Sequence, residues 1–201
     1  MVLGGTMIVQ RTGFLAQIAV SLRVVLATIL FCSLLYPLVI WGLGQMLTPD
    51  SANGSLIKDE KGELLGSKLL AQRFQRPEYL WPRPSAVGYD SSAAGGSNLS
   101  PASPKLRERA KSLLARFDAS AGRPLPADLV TTSGSGLDPH ITLAAARYQA
   151  ARVSAARGIS VGTVLNLLNQ LAFRPGRVLT PQPLVNVLLV NRALDRVAPL
   201  R

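Results

Sequence analysis

The sequence predicts an α+β protein: one N-terminal transmembrane helix followed by a single mixed α/β extracytoplasmic domain with a small sheet and about three to four helices. Three observations carry this expectation. Between Arg23 and Asp50 lie 26 residues without a formal charge. Beyond them, apolar residues recur at helical spacing at Leu106, Ala110, Leu113, Leu114 and Phe117. Short β-type runs bounded by polar turns fall at residues 55–68 and 184–190. With 48% apolar residues the chain is not disordered in bulk, and with 5% aromatics its core must be built mainly from Leu, Val, Ile and Ala.

The most apolar part of the uncharged run, residues 24–43, would be about 30 Å long as a helix, the thickness of a bilayer's hydrocarbon core. A secretory signal peptide would have a shorter apolar region and a small-x-small cleavage site, for which only Gly42-Leu43-Gly44 qualifies. Arg11, Arg23 and the terminal amine precede the run and Asp50 follows it, with no cation before Lys58. The positive-inside rule then places the N-terminus in the cytoplasm. The expected organisation is a short cytoplasmic N-terminus over residues 1–23, a transmembrane helix over 24–46 and an extracytoplasmic accessory domain over 47–201. Pro37 removes a backbone donor in mid-span and is expected to kink the helix. No residue of the span is ionisable at neutral pH, which argues for an anchor rather than an ion path. Cys32 is the only cysteine and lies in the span, so the outer domain must hold itself together by packing.

In the outer domain, residues 55–58 and 63–68 flank a Gly-containing turn and read as a β-hairpin. Residues 76–104 carry prolines at 77, 82, 84, 101 and 104 and glycines at 88, 95 and 96, too many breakers for regular structure. A loop of that length is usually a working surface or a disordered segment. Ser103 and Pro104 then mark a helix start. Residues 129–132 are a short strand candidate, followed by a Gly/Ser turn. Thr142 caps a helix ending at Gly158, and Ser160 caps another reaching about Phe173. The run 184–190 suits a buried strand, with a short closing helix over 191–197.

Chemistry-bearing residues are sparse. His140 lies near Asp138 and Ser135, which raises the alternative of a membrane-anchored extracytoplasmic serine hydrolase using Ser135 or Ser97. Triad members converge from separated chain positions, however, and no G-x-S-x-G elbow is present. One Cys and one His with scattered carboxylates give no expected metal ligands. The string Gly62-Glu63-Leu64-Leu65-Gly66-Ser67-Lys68 lacks P-loop spacing, while Gly95-Gly96 and residues 133–136 read as turns or anion nests. The net charge is +11, and the cations are dispersed without a recognition motif or interleaved aromatics, so no nucleic-acid partner is expected.

Several strings, in order, resemble the C chain of the Kdp-type potassium-transporting ATPase. They are Tyr36-Pro37, Gln45, Ala52-Asn53-Gly54-Ser55, Arg83-Pro84-Ser85, Gly95-Gly96-Ser97-Asn98-Leu99, Asp128-Leu129-Val130-Thr131, Ser133-Gly134-Ser135-Gly136-Leu137-Asp138-Pro139-His140-Ile141, Gln149-x-x-Arg152-Val153 and Asn186-Val187-Leu188. The resemblance implies a non-catalytic accessory subunit of a high-affinity ATP-driven potassium uptake complex in the cell inner membrane. Its implied partners are a channel-like potassium-binding subunit, a P-type ATPase subunit, a small single-span subunit and the lipid bilayer. It implies no cofactor bound by this chain alone, ATP and potassium being handled by the complex. It further implies a chaperone role raising the ATPase subunit's affinity for ATP, with Gln149 as a nucleotide-contact candidate. Loops rich in Gly, Ser and Pro are ordered most cheaply against a partner. The expected interface is therefore Arg83, Ser85, Gly95, Gly96, Ser97, Asn98, Ser133, Gly134, Ser135, Gly136, Asp138 and His140.

Overall fold

The computed structural model describes residues 13–176 and 181–200. Arg11 and the terminal amine, used above for orientation, lie outside them, as does Arg201. The chain divides into two compact units at the Gly54/Ser55 boundary.

The first unit is a helical rod, Phe14–Leu47, of 34 residues. It comprises α1 (Phe14–Thr28), a π-helical stretch (Ile29–Leu35) and α2 (Tyr36–Leu47). None of its residues is buried by the protein. By length and composition it can cross a membrane. The helix starts at Phe14 because nothing between Gly13 and Arg23 breaks it, and Arg23 can run its apolar stem along the rod. Pro37 acts through the backbone upstream of it. It has no N–H to donate, its ring would press on the carbonyl of Ser33, and the π-helical turns before it open the ladder at that point. After α2 the chain turns through α3 (Pro49–Ala52), where Gln45 and Asn53 exchange amide hydrogen bonds at 3.3 and 3.0 Å.

The second unit opens with the expected hairpin, β1 (Leu56–Lys58) antiparallel to β2 (Leu64–Ser67). Asp59 Oδ1 accepts from the N–H groups of Lys61 and Glu63, and Gly62 takes a positive φ of 86°. Helix α4 (Pro104–Arg116) starts with Ser103 at its N-cap, although the Ser103 side chain makes no capping bond. Residues 129–132 are not a strand. They overlap a one-turn helix, α5 (Ala127–Val130), begun by the fixed backbone of Pro126, which turns Leu129 fully into the core.

Strand β3 (His140–Thr142) leads into α6 (Leu143–Arg157), whose N-cap Thr142 accepts from Ala145 N and whose C-cap Gly158 is left-handed at φ 66°. Ser160 caps α7 (Val161–Leu171) by accepting from Thr163 N. The run 184–190 is a strand only over β4 (Leu184–Asn186), paired antiparallel with β3. Asn186 then caps α8 (Val187–Val197) by accepting from Leu189 N. The correction has a sequence basis: Val187, Val190, Asn191 and Leu194 are spaced i, i+3, i+4, i+7, and all four are buried. The core gathers Leu129, Ile141, Val153, Val164, Leu168, Val185, Val190 and Leu194 between the β3–β4 pair and the helices, as the composition required.

Residues 76–103 contain no helix or strand, yet their middle is bolted to this core. Gln149 of α6 accepts from Trp81 N at 2.9 Å and donates to Trp81 O at 3.1 Å. Asn191 of α8 treats Leu80 the same way, accepting from its N–H at 2.8 Å and donating to its carbonyl at 3.0 Å. Two buried amides thus satisfy four buried backbone groups, as a neighbouring strand would. Two arginines complete the attachment. Arg152 donates to the carbonyls of Pro77 and Tyr79 and to Gln149 Oε1, and its guanidinium stands 3.7 Å from the Trp81 ring centroid. Burial, with the like charge of Arg116 second, pulls the Arg152 pKa down to about 10, so it stays charged at neutral pH. Arg157, its side chain fully buried, donates to Glu78 O, Ala198 O and Asp195 Oδ1.

Replacing Gln149 with Leu would leave the Trp81 N–H and carbonyl buried and unpaired. Gln149→Leu is expected to lose about 2–4 kcal/mol of stability, against near-neutrality for a surface change such as Gln170→Leu, measured by denaturant unfolding of the full chain in detergent.

Candidate functional site

Three loops converge on one side of the second unit. Residues 83–89 and 95–99 come from the long irregular segment, and residues 131–140 lead into β3. Backbone bonds stitch them together: Ser133 N donates to Pro84 O at 2.9 Å, Gly95 N to Ser135 O at 2.8 Å and Ala71 N to Leu137 O at 2.8 Å. Arg83 ties both strings, donating Nη1 to Asp138 Oδ2 at 3.3 Å and Nη2 to Thr132 O at 3.4 Å. Tyr89 OH closes the first loop on Arg83 O at 2.9 Å, and Ser85 Oγ accepts from Val87 N and Tyr89 N.

The Gly/Ser turn is organised by its serines. Buried Ser133 accepts through Oγ from Gly136 N and Asp138 N, and Ser135 Oγ accepts from Leu137 N. Gly136 is required twice over. Its φ is +72°, and a Cβ there would stand 2.7 Å from Val87 Cγ2 and 2.9 Å from Gly95 O. Gly134 is the opposite case, exposed and with no atom within 4 Å of where its Cβ would lie.

Asp138 is the electrostatic hub. Its Oδ1 accepts from His140 N at 3.0 Å and lies 3.3 Å from His140 Nδ1, while Oδ2 faces Arg83. Burial works against the carboxylate but is outweighed by the two His140 hydrogen bonds and the fields of His140 and Arg83, so its pKa falls below the ordinary value. The His140 ring packs edge-on against Phe173, centroids 5.3 Å apart.

The structure therefore brings Arg83, Ser85, Gly95, Gly96, Ser133, Gly134, Ser135, Gly136, Asp138 and His140 together. Ser97 and the positive-φ Asn98 continue the same segment. Sequence reasoning missed Thr132, Val87, Tyr89 and Phe173, which frame the cluster. The ordering also has a different cause from the one expected, because the loops satisfy one another within the chain. Among the described residues of these loops, the buried Arg83 Nε and Thr132 Oγ1 have no hydrogen-bond partner. Ser135 Oγ turns to Leu137 N and the Ser133 hydroxyl, and His140 to Asp138 and Phe173. Gln149 lies elsewhere, 1% exposed, with both ends of its amide engaged by Trp81 and its oxygen shared with Arg152. Among the described residues no group of three or more His, Cys, Asp or Glu side chains is placed to hold a metal ion.

Fold and surface together define a class: a chain with one exposed apolar helix and an α/β unit whose specific sequence strings build a stitched loop surface. Its family is equally plain. The family described as K+-transporting ATPase, c chain (KdpC) matches residues 18–196, and the chain belongs to it. It is 51% identical over 177 residues to the potassium-transporting ATPase KdpC subunit of Parvibaculum lavamentivorans, covering 88% of this chain and 95% of that one. The corresponding subunit of Myxococcus xanthus is 49% identical over 183 residues, covering 88% and 86%. That of Pseudomonas entomophila is 44% identical over 186 residues, covering 92% and 97%.

The Asp138 shift has a definite sign. With its folded-state pKa below the ordinary 3.8, the carboxylate stabilises fully above that range, and the contribution is lost as pH falls through the folded value. The melting-temperature gap between the native chain and Asp138→Asn should thus be constant from pH 7 to about 5 and shrink below about 4. A gap unchanged down to pH 3 would remove Asp138 as the hub.

Proposed function

We propose that this chain is a non-catalytic accessory subunit of a high-affinity, ATP-driven potassium uptake complex. It is held in the inner membrane by its single helix, with the N-terminus cytoplasmic and the α/β unit outside, and it docks on its partners through the stitched loop surface. The observation that carries the reading is the convergence of the Arg83, Gly95 and Ser133–His140 strings on one pre-organised surface. A rigid surface binds at a lower ordering cost than a flexible one. The names of the relatives supply the assembly: they are subunits of a potassium-transporting ATPase. The partners in this reading are a channel-like potassium-binding subunit, a P-type ATPase subunit and a small single-span subunit.

Catalysis falls to those partners. No cofactor is assigned to this chain alone, and ATP and potassium belong to the complex. The buried, doubly bonded amide of Gln149 suits a structural part better than a nucleotide contact. Any gain in ATP affinity at the ATPase subunit, the chaperone role, would then pass through protein contacts.

Because Gly134 is exposed with open space around it, Gly134→Arg should leave the fold intact while blocking the surface. The expected outcome is at least tenfold less co-purification with the complex and slow growth at limiting potassium, with an unchanged melting temperature; normal assembly by the folded variant would remove this surface from the interface. Orientation has its own test. A phosphatase reporter fused after Arg201 should be active only outside the cytoplasm, and cytoplasmic activity would reverse the topology.

A further inference from the structure

Between the irregular segment and α4 the α/β unit has a cavity of about 260 Å³, one wall of which is the 83–89 loop. Three guanidinium-bearing residues line it, Arg73, Arg109 and Arg116, together with Trp81, Tyr89 and Phe117 and without any carboxylate. Arg73 is held at the rim by donating Nη2 to Gly88 O at 3.2 Å. Arg116 lies over the Trp81 ring, 4.0 Å from its centroid. Arg109 Nε is buried and without a hydrogen-bond partner. An orphaned buried donor carries a desolvation penalty unless something accepts from it. Three cations around one concavity also repel one another. The effect reaches beyond the cavity, since the charge of Arg116 is among the causes that depress Arg152.

We propose that this cavity is an oxyanion site that takes a phosphate group, supplied either as free phosphate or as the headgroup of an anionic phospholipid. A phosphate answers each feature. Its oxygens accept from Arg109 Nε and from the guanidinium forks of Arg73 and Arg116, the geometry in which arginine binds phosphate best. Its charge neutralises the cluster, and the aromatic walls limit the occupant to a compact group while shielding the ion pairs from water. The cavity shares Ser85 and Tyr89 with the 83–89 loop, but its occupancy by phosphate is read on the isolated chain and does not depend on the assembly proposed above.

Trp81 lines the cavity and reports on it. In full-length protein carrying Trp41→Phe, in detergent micelles at fixed ionic strength, Trp81 fluorescence should change saturably on titration with inorganic phosphate and not with chloride. Arg109→Gln should weaken the apparent affinity at least tenfold. Should Arg109→Gln fail to fold, Arg73→Gln, at an exposed rim position, carries the same expectation. A second titration uses micelles doped with phosphatidic acid. Saturation by inorganic phosphate identifies a free-phosphate site, and saturation by the lipid alone identifies a headgroup site, provided that either is lost in the arginine variants. A response to neither probe, or one unchanged in both variants, overturns the proposal.

Discussion

A segment of nearly thirty residues without helix or strand has one physical difficulty above all others: its backbone N–H and C=O groups must be satisfied wherever it is buried. Here Gln149 and Asn191 meet that requirement, each offering a carboxamide to the two hydrogen-bonding groups of one residue, Trp81 and Leu80 respectively. A carboxamide presents a donor and an acceptor side by side, which is what a residue on a neighbouring strand would present. The two amides project from α6 and α8, so a single irregular stretch is clamped by two helices. Much else follows from that clamp. Trp81 is held where Arg152 and Arg116 stand over its ring, Arg83 is carried toward Asp138, and the chain beyond is delivered to the Gly/Ser turn.

The same clamp explains why an arginine-rich unit tolerates burying its cations. Arg157 and Arg152 are spent on the carbonyls of residues 77–79 and 198, groups that the irregular segment and the end of α8 would otherwise leave unpaired. Guanidinium suits this work because it offers five donors in a fixed plane. Only Arg157 among them has a close carboxylate, Asp195, so the attachment rests on charge-assisted bonds to backbone more than on ion pairs. Arg109 and Arg116 stand outside this network, which is why their cavity remains electropositive.

The three converging loops are ordered by a different device. Gly95, Gly96 and Gly136 allow backbones to approach so closely that a Cβ at Gly136 would overlap Val87 and at Gly96 would crowd Gly134 O. Serine hydroxyls and the Asp138 carboxylate then supply the acceptors. Small residues in these strings are therefore the means by which three loops without apolar bulk hold a defined surface. At Gly134, by contrast, the space where a Cβ would lie is open.

Residues 24–49 announced the membrane helix because a long uncharged run has few other fates, and Thr142, Gly158 and Ser160 announced α6 and α7 because caps act within one turn of chain. Asp59 and Gly62 marked the hairpin for the same local reason. The sequence strings also named the loop residues, although neither spacing nor composition showed that they meet. Tertiary structure decided the rest. Leu129 entered the core on a helical turn rather than a strand, and the run 184–190 changed from strand to helix at Asn186, where a cap competed with β-propensity and packing chose between them. A polar residue on an apolar stripe, Gln149 between Ala145 and Val153 or Asn191 between Val187 and Leu194, signals a buried partner in the sequence but leaves it unnamed. The partners, Trp81 and Leu80, lie 68 and 111 residues away, and pairing over such separations is set by which surfaces pack together, a property of the folded chain and of no local stretch of it.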